Sequence, residues 1–274
     1  MTLAAAFAAA RADGRAAFIP YVMAGDPDLE TTALILGALR AAGADAVELG
    51  IPYSDALADG PTIVAAATRA LKDGVGIDDV LNVARRAPGL PVLLFSYFNP
   101  IFQYGVERFA RAAAGAGVAA VIVPDIPLEE SASLGAVLHE RGLDMPLLVA
   151  PSTGRERARR IADRSTGFVY VVSRTGVTGA GRVPDFAAAN ARLDDLRELT
   201  DKPLAAGFGV SRPEHVAQIA PFADGVIVGS ALIDAYWGTS GAEAAQRVFD
   251  LATRLREATT RQTPPAERAH ELSV

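Results

Sequence analysis

Cysteine is absent from this chain of 274 residues, and lysine and histidine are scarce. The missing thiols exclude disulfide bonds, thiolate nucleophiles and thiolate metal sites, which fits a cytoplasmic protein. The only lysines, Lys72 and Lys202, are predicted to lie on a helix and just before a strand, so neither is placed for Schiff-base chemistry. The histidines, His139, His215 and His270, fall on helices and in the C-terminal tail. They predict neither a metal site nor a histidine general base.

The chain also lacks a long apolar run and a block of basic residues. A membrane-spanning helix needs about 20 predominantly apolar residues, and no stretch approaches that length. The net charge of −6 argues against nucleic acid and anionic membranes as partners. The alanine-rich segment 3–10 has no basic residue before it, and Arg11, Asp13 and Arg15 follow closely. We therefore expect a helix that caps the bottom of the fold rather than a signal peptide.

Half of the residues are apolar, and short β-branched runs alternate with helical patterns. The predicted strands are residues 17–22, 46–49, 92–96, 119–123, 146–149, 168–172, 204–206 and 225–228. The predicted helices include 29–42, 105–114, 129–140, 155–162 and 213–219. Eight strand–helix units in about 250 residues predict an α/β fold, a single (β/α)8 TIM barrel. The alternative is a doubly wound open sheet, which would carry a glycine-rich fingerprint after the first strand, where the chain has Gly25-Asp26-Pro27.

The gaps that follow strands 2 and 6 are longer than the others. They cover residues 51–76 and 173–185 and predict long loops on the face of the barrel that carries catalytic residues. We assign residues 1–260 to one catalytic barrel domain. The segment 261–274 is polar and contains proline, and we expect it to be a disordered tail.

A glutamate interrupts the apolar second strand. Side chains alternate across a strand, so Glu48 points into the barrel near its top if Val47 and Leu49 pack outward. Loss of hydration raises the pKa of a carboxyl group toward neutrality, where it can both donate and accept a proton. Glu48 is therefore a candidate catalytic residue, and the alternative is a structural glutamate paired with Arg174.

The loop after strand 2 carries two further acids, Asp55 and Asp59. Local chemistry favours Asp59 as the N-cap of a helix that begins near Pro61, and Asp55 can be a turn residue. Tyr170, in strand 6, either faces the substrate or belongs to the core with a satisfied hydroxyl group.

Glycine-containing loops follow strands 6, 7 and 8, in segment 174–181, in Gly207-Phe208-Gly209 and in Gly229-Ser230-Ala231. Glycine lets backbone N–H groups approach an anion, and barrels often bind phosphate with the loops after strands 7 and 8. A helix that begins near Gly229 adds its positive N-terminal end. Together the loops predict a phosphate site, although each alone can be a tight turn. Phe208 either forms a wall of a flat pocket or fills space.

In their order along the chain, these segments resemble the α subunit of tryptophan synthase. The resemblance covers about residues 15–255. The matching stretches are Phe18-Ile19-Pro20-Tyr21, Gly25-Asp26-Pro27, and the segments 48–61, 97–100, 123–127, 173–179, 207–209 and 229–231. Segments 48–61 and 173–179 are the most specific, because other phosphate-binding barrels share only the glycine loops.

The resemblance implies cleavage of indole-3-glycerol phosphate to indole and glyceraldehyde 3-phosphate, a retro-aldol reaction without a Schiff base. It implies that Glu48 moves the protons, that Asp59 accepts the indole N–H group, and that Tyr170 lies in the active site. The remaining implied roles are phosphate binding by Gly179, Gly209, Gly229 and Ser230, loop closure by Thr178, and contact with a partner by Asp55, Asn99 and the segment 97–100.

The resemblance also implies an α2β2 complex with a β subunit that holds pyridoxal phosphate, whereas this chain binds no cofactor and no metal. A stand-alone lyase that releases free indole is the alternative, because the same acids serve both. A non-catalytic binding subunit would be expected to lack one acid. A sugar-phosphate isomerase or epimerase would need a histidine, a cysteine or a metal. The family usually has proline where this chain has Ala56, and since proline restricts φ, we expect a more mobile loop here.

Overall fold

The computed structural model describes residues 2–87, 89–172, 186–207 and 209–261. Its strands are β1 (Ala17–Met23), β2 (Val47–Gly50), β3 (Val92–Phe95), β4 (Val118–Ile122), β5 (Leu147–Val149), β6 (Val169–Val172), β7 (Leu204–Gly207) and β8 (Gly225–Val228). Its helices are α1 (Leu3–Ala12), α2 (Leu29–Ala41), α3 (Pro61–Lys72), α4 (Ile77–Ala84), α5 (Phe98–Tyr104), α6 (Val106–Gly115), α7 (Ser131–His139), α8 (Arg155–Arg164), α9 (Phe186–Arg197), α10 (Pro213–Ile219), α11 (Ser230–Tyr236) and α12 (Gly241–Glu257).

The strands form one parallel sheet in the order β4-β3-β2-β1-β8-β7-β6-β5. The sheet closes between β4 and β5, because the N–H group of Val121 donates to the carbonyl of Asp144 at 2.9 Å and Ala120 forms a parallel bridge with the same residue. The predicted (β/α)8 barrel is therefore confirmed. Every strand end lies within one residue of its predicted position, and the ends of the five predicted helices lie within two.

The N-terminal helix covers the amino ends of the strands. The ring of Phe7 on α1 lies 5.6 Å from that of Phe168, just before β6. Arg11 pairs at 3.2 Å with Asp224, just before β8. The prediction that this helix caps the bottom of the barrel is confirmed, and the opposite end of the barrel carries the loops that follow each strand.

The loop after β2 covers residues 51–60 and is shorter than the predicted gap of 51–76, because α3 occupies most of the remainder. Helix α3 begins with Pro61 at its first position, where the missing N–H group costs nothing, and buries a face of Ala66, Ala67 and Ala70. Several predictions fall outside the described residues: the loop after β6 with Arg174, Thr178 and Gly179, the position of Phe208, and the tail beyond residue 261.

In the part of the chain that the structure describes, no helix is both long and apolar enough to cross a membrane. All described strands belong to the one sheet. The domain boundary at residues 260 and 261 stays a prediction.

Candidate active site

Glu48 lies inside the barrel. It is 1% exposed, and among the described residues neither carboxylate oxygen has a hydrogen-bond partner. Its charge raises the pKa of Tyr170 on β6, the strand diametrically opposite β2, so the two side chains face each other across the interior. Burial, and secondly the negative charge of Asp59, raise the pKa of Glu48 to about 8. Glu48 is therefore mainly protonated at neutral pH.

Asp59 is the second buried acid at this end of the barrel. It is 6% exposed, and burial raises its pKa to about 6, against an opposing hydrogen bond from Tyr97. Asp59 is thus mainly ionised at neutral pH. The N-cap of α3 is Gly60, with no side-chain cap, so the local interpretation of Asp59 as the N-cap is wrong. The reason is that the carboxylate turns toward Tyr97 and the interior instead of the helix end.

The Tyr97 hydroxyl group holds the loop that carries Asp59. It accepts a hydrogen bond from the N–H group of Ala58 at 2.9 Å and also bonds the Asp59 carboxylate. The Tyr97 ring is buried between aromatic neighbours, 5.4 Å from the ring of Tyr53 and 6.3 Å from that of Phe95. A buried tyrosine just after β3 therefore positions an acid in a loop whose neighbouring residues 57 and 58 are exposed.

Tyr170 faces the two acids. It is 3% exposed, and burial followed by the charges of Glu48 and Asp59 raises its pKa well above the ordinary value. A Cβ atom on Gly207 would lie 2.5 Å from the Tyr170 hydroxyl, so glycine at the end of β7 makes room for this ring. The Tyr170 side chain is thus both buried and close to the two acids, and its role in the active site stays a prediction.

The loops after β7 and β8 are neighbours, because these strands pair directly. Gly209 adopts a φ of +90°, which L-residues other than glycine rarely adopt. Gly229 is the residue before α11, and the exposed Ser230 begins that helix. The first N–H groups of a helix have no acceptor within it, so they are available to an anion.

Neither lysine lies at this end of the barrel. Lys72 is exposed in the last turn of α3, and the Lys202 ammonium donates to the carbonyl groups of Ala162, Asp163 and Ser165 at 2.7–2.8 Å, at the end of α8. Across the described ranges, no cluster of histidine and acidic residues is suited to a metal ion.

The residues predicted to contact a partner lie together on the outside. Asp55 and Asn99 are exposed, and Asn99 donates to the hydroxyl of Tyr53 at 3.3 Å, which connects α5 with the loop after β2. Leu57 in this loop and Phe102 on α5 are 84% and 60% exposed. Two large apolar side chains therefore face solvent beside the predicted contact residues.

Comparison with known proteins identifies the family. The model of the tryptophan synthase alpha chain family matches residues 7–261. This chain belongs to that family. The tryptophan synthase alpha chain of Synechocystis sp. is 49% identical over 260 residues, which cover 93% of this chain and 98% of the relative. That of Gloeobacter violaceus is 48% identical over 269 residues, covering 97% and 96%.

Solved tryptophan synthase alpha chain structures have the same fold. A chain of Mycobacterium tuberculosis tryptophan synthase is 37% identical, with a TM-score of 0.87, and the match covers 95% of this chain and 98% of that one. The tryptophan synthase subunit alpha of Legionella pneumophila is 36% identical, with a TM-score of 0.84, covering 94% and 98%. The resemblance read from the motifs is therefore confirmed.

In this member of the tryptophan synthase alpha chain family, two residues that contact or adjoin the candidate acids were not predicted to do so. Tyr97 was predicted only as part of a partner-contact segment, and Tyr21 only as part of a motif. Each is a tyrosine in or just after a predicted strand, and that position was the available signal. Their contacts were not predictable, because they depend on how neighbouring strands and loops meet.

Proposed function

We propose that this chain, as the α subunit of tryptophan synthase in tryptophan biosynthesis, cleaves indole-3-glycerol phosphate to indole and glyceraldehyde 3-phosphate, with Glu48 and Asp59 as its catalytic residues. The observation that carries the assignment of residues is the pair of buried acids, with pKa values of about 8 and about 6. At neutral pH one is mainly a neutral acid and the other mainly a carboxylate, which is the division that acid–base chemistry requires.

Glu48 is the proton carrier. Its carboxylic acid donates a proton to C3 of the indole ring, and the resulting carboxylate then accepts the proton of the hydroxyl group on the adjacent chain carbon. The bond between these two carbons breaks, its electron pair restores the aromatic indole, and the hydroxyl carbon becomes the aldehyde. Because Glu48 ends the cycle protonated, no external acid or base is consumed.

Asp59 supports the first proton transfer. Protonation of C3 places positive charge on the ring nitrogen, and a carboxylate that accepts the indole N–H group stabilises this charge. The hydrogen bond from Tyr97 keeps Asp59 ionised, since it lowers the pKa that burial raises. Tyr170 faces both acids and forms the wall opposite β2.

The glycine loops anchor the substrate. Backbone N–H groups around Gly209 and Gly229 and the hydroxyl of Ser230 bind the phosphate group, and the first turn of α11 contributes its N–H groups. The family resemblance assigns a further phosphate contact to Gly179, loop closure to Thr178 and a pocket wall to Phe208, three residues outside the described ranges. This anchoring holds the reacting carbons near the acids without a covalent bond to the enzyme.

The partner of this chain is a β subunit in an α2β2 complex, and pyridoxal phosphate belongs to that subunit. The exposed Leu57 and Phe102, beside Asp55 and Asn99, supply the apolar surface that such a contact would bury. The same surface favours the complex over a stand-alone lyase, because a chain that works alone gains nothing from exposing these side chains.

The test of the catalytic assignment is indole release from indole-3-glycerol phosphate by the purified chain. Glu48→Gln keeps the shape of the protonated side chain and removes the proton, so we expect turnover to fall by at least about 100-fold. Glu140→Gln changes an exposed glutamate and is the matched control. Full activity in Glu48→Gln would show that Glu48 is not the proton carrier.

A second arm tests the partner. Addition of a tryptophan synthase β subunit should raise indole production, and Leu57→Ser combined with Phe102→Ser should reduce this stimulation while leaving the activity of the chain alone unchanged. High activity with no response to the β subunit would favour the stand-alone lyase.

A further inference from the structure

Tyr21 carries a buried hydroxyl group that the catalytic scheme does not use. The side chain is 4% exposed, and among the described residues its hydroxyl has no hydrogen-bond partner. Buried hydroxyl groups almost always have one, and the absence costs about 1–3 kcal/mol. Phenylalanine would pack in the same space without this cost, so the hydroxyl group calls for a role other than stability.

The hydroxyl lies beside the catalytic acids. Tyr21 on β1 is the direct neighbour of Glu48 on β2 in the parallel register. The charges of Asp59 and Glu48 both act on it, after burial itself, to raise its pKa well above the ordinary value. Tyr21 therefore remains a neutral donor at the pH of catalysis, with its O–H group directed into the same interior.

The ring also reaches the proposed phosphate site. A Cβ atom on Gly50 would lie 2.2 Å from the Tyr21 hydroxyl oxygen, and one on Gly229 would lie 3.3 Å from Cδ1 of the ring. Gly50 follows Glu48 by two residues on the same face of β2, whereas Gly229 precedes α11. The ring thus extends from the proposed phosphate site to the acids, the span that the substrate's three-carbon chain has to cross in the proposed function.

The chain of indole-3-glycerol phosphate has two hydroxyl groups between the ring and the phosphate. The one on the carbon attached to the ring is deprotonated during cleavage and belongs to Glu48. The middle hydroxyl is unchanged by the reaction and has no partner in the scheme above. It is also the polar group that lies between the reacting carbon and the phosphate.

Resting on the proposed function, we infer that the Tyr21 hydroxyl group hydrogen-bonds the middle hydroxyl of the substrate's glycerol chain and so selects a hydroxylated chain. Tyr21 touches the substrate but neither gains nor loses a proton. Glycine at residue 50 is part of the same arrangement, since a side chain there would displace the tyrosine hydroxyl, and a side chain at residue 229 would crowd the ring.

The experiment compares two enzymes on two substrates. The substrates are indole-3-glycerol phosphate and its analogue with hydrogen in place of the middle hydroxyl, which keeps the reacting hydroxyl and the phosphate. Tyr21→Phe should lower kcat/KM for the natural substrate by about threefold to tenfold, the value of a neutral hydrogen bond, and leave kcat/KM for the analogue unchanged. Tyr104→Phe, which removes a hydroxyl bonded to Asp78 on the outside of the barrel, should change neither.

The pattern of losses decides between the explanations. Equal losses on both substrates would show that the hydroxyl supports the pocket rather than the chain, and no loss on either would show that it is dispensable; both results overturn the inference alone. A parent chain that fails to release indole overturns the proposed function, and this inference with it.

Discussion

Glu48→Gln should stabilise the protein increasingly as the pH rises, although it removes the proposed proton carrier. The pKa of Glu48 is about 8 in the folded chain, because of burial first and the charge of Asp59 second, against 4.5 for an ordinary glutamate. Between these two values the folded state binds a proton that the unfolded state has lost. The free energy of unfolding of the parent chain therefore falls as the pH rises through this window.

The size of the effect follows from the two pKa values. Each pH unit inside the window is worth about 1.36 kcal/mol. The contribution of Glu48 to the free energy of unfolding falls by roughly 2–3 kcal/mol from pH 5 to pH 7, and by about 5 kcal/mol in total once the pH exceeds 8. The glutamine side chain of the variant does not titrate, so this loss is absent there. No screening by solvent reduces the effect, because the side chain is buried.

The assay is urea unfolding of both proteins at intervals from pH 5 to pH 9, and the measured quantity is the difference between their free energies of unfolding. Subtraction removes the titration of all groups that the proteins share. Glu140→Gln, an exposed change of the same kind, should give a difference that does not vary with pH. If the difference in free energy of unfolding between Glu48→Gln and the parent chain is also independent of pH, Glu48 is ionised in the folded chain. The proposal that one acid is neutral and the other ionised would then be wrong.

Three further substitutions test other parts of the site. Tyr97→Phe removes the hydrogen bond that lowers the pKa of Asp59, so the acidic limb of the kcat/KM profile should move to higher pH and kcat/KM should fall about tenfold; an unmoved limb would contradict the role of Tyr97. Gly209→Val should raise the KM for indole-3-glycerol phosphate by about tenfold, because φ at this position is +90°; an unchanged KM would count against the phosphate site. Arg69→Met leaves the buried Asp26 carboxylate without its bidentate partner at 2.6 and 2.8 Å, so urea unfolding should show a loss of about 3–5 kcal/mol, partly recovered by a second change, Asp26→Asn; an unaltered midpoint would mean that the pair contributes nothing.

The barrel was predictable because its signals are local. Each strand is a short apolar run, in most cases with β-branched residues, and strand and helix patterns alternate, so the eight strands could be placed within one residue of their observed ends. The position of Glu48 also followed from a local rule, the alternation of side chains along β2. The alternation along the strand was thus enough to predict that this carboxyl group points into the barrel.

The environment of Asp59 could not be predicted in the same way. Local chemistry favours an aspartate before Gly60-Pro61 as a helix cap, and that preference was overridden by Tyr97, which lies far along the chain at the end of another strand. Propensities describe what a residue does with its sequence neighbours. Whether a more distant hydroxyl reaches the same carboxylate depends on the register and twist of the closed sheet.

Most of the unpartnered buried polar atoms in the described part of the chain lie at the proposed catalytic site. Among the described residues, five buried side-chain atoms have no hydrogen-bond partner, and three of them belong to Tyr21 and Glu48 on adjacent strands. A structural glutamate would be expected to pair with a cation, as the buried Asp26, just after β1, pairs with Arg69 on α3. Apolar residues at both positions would remove an energetic cost and so stabilise the barrel. The cost is concentrated at a carboxylic acid and a hydroxyl group on adjacent strands, and the large apolar core of the barrel offsets it. Substitutions that raise stability at these two positions should therefore be the ones that lower activity, whereas substitutions in the surrounding core should lower stability first.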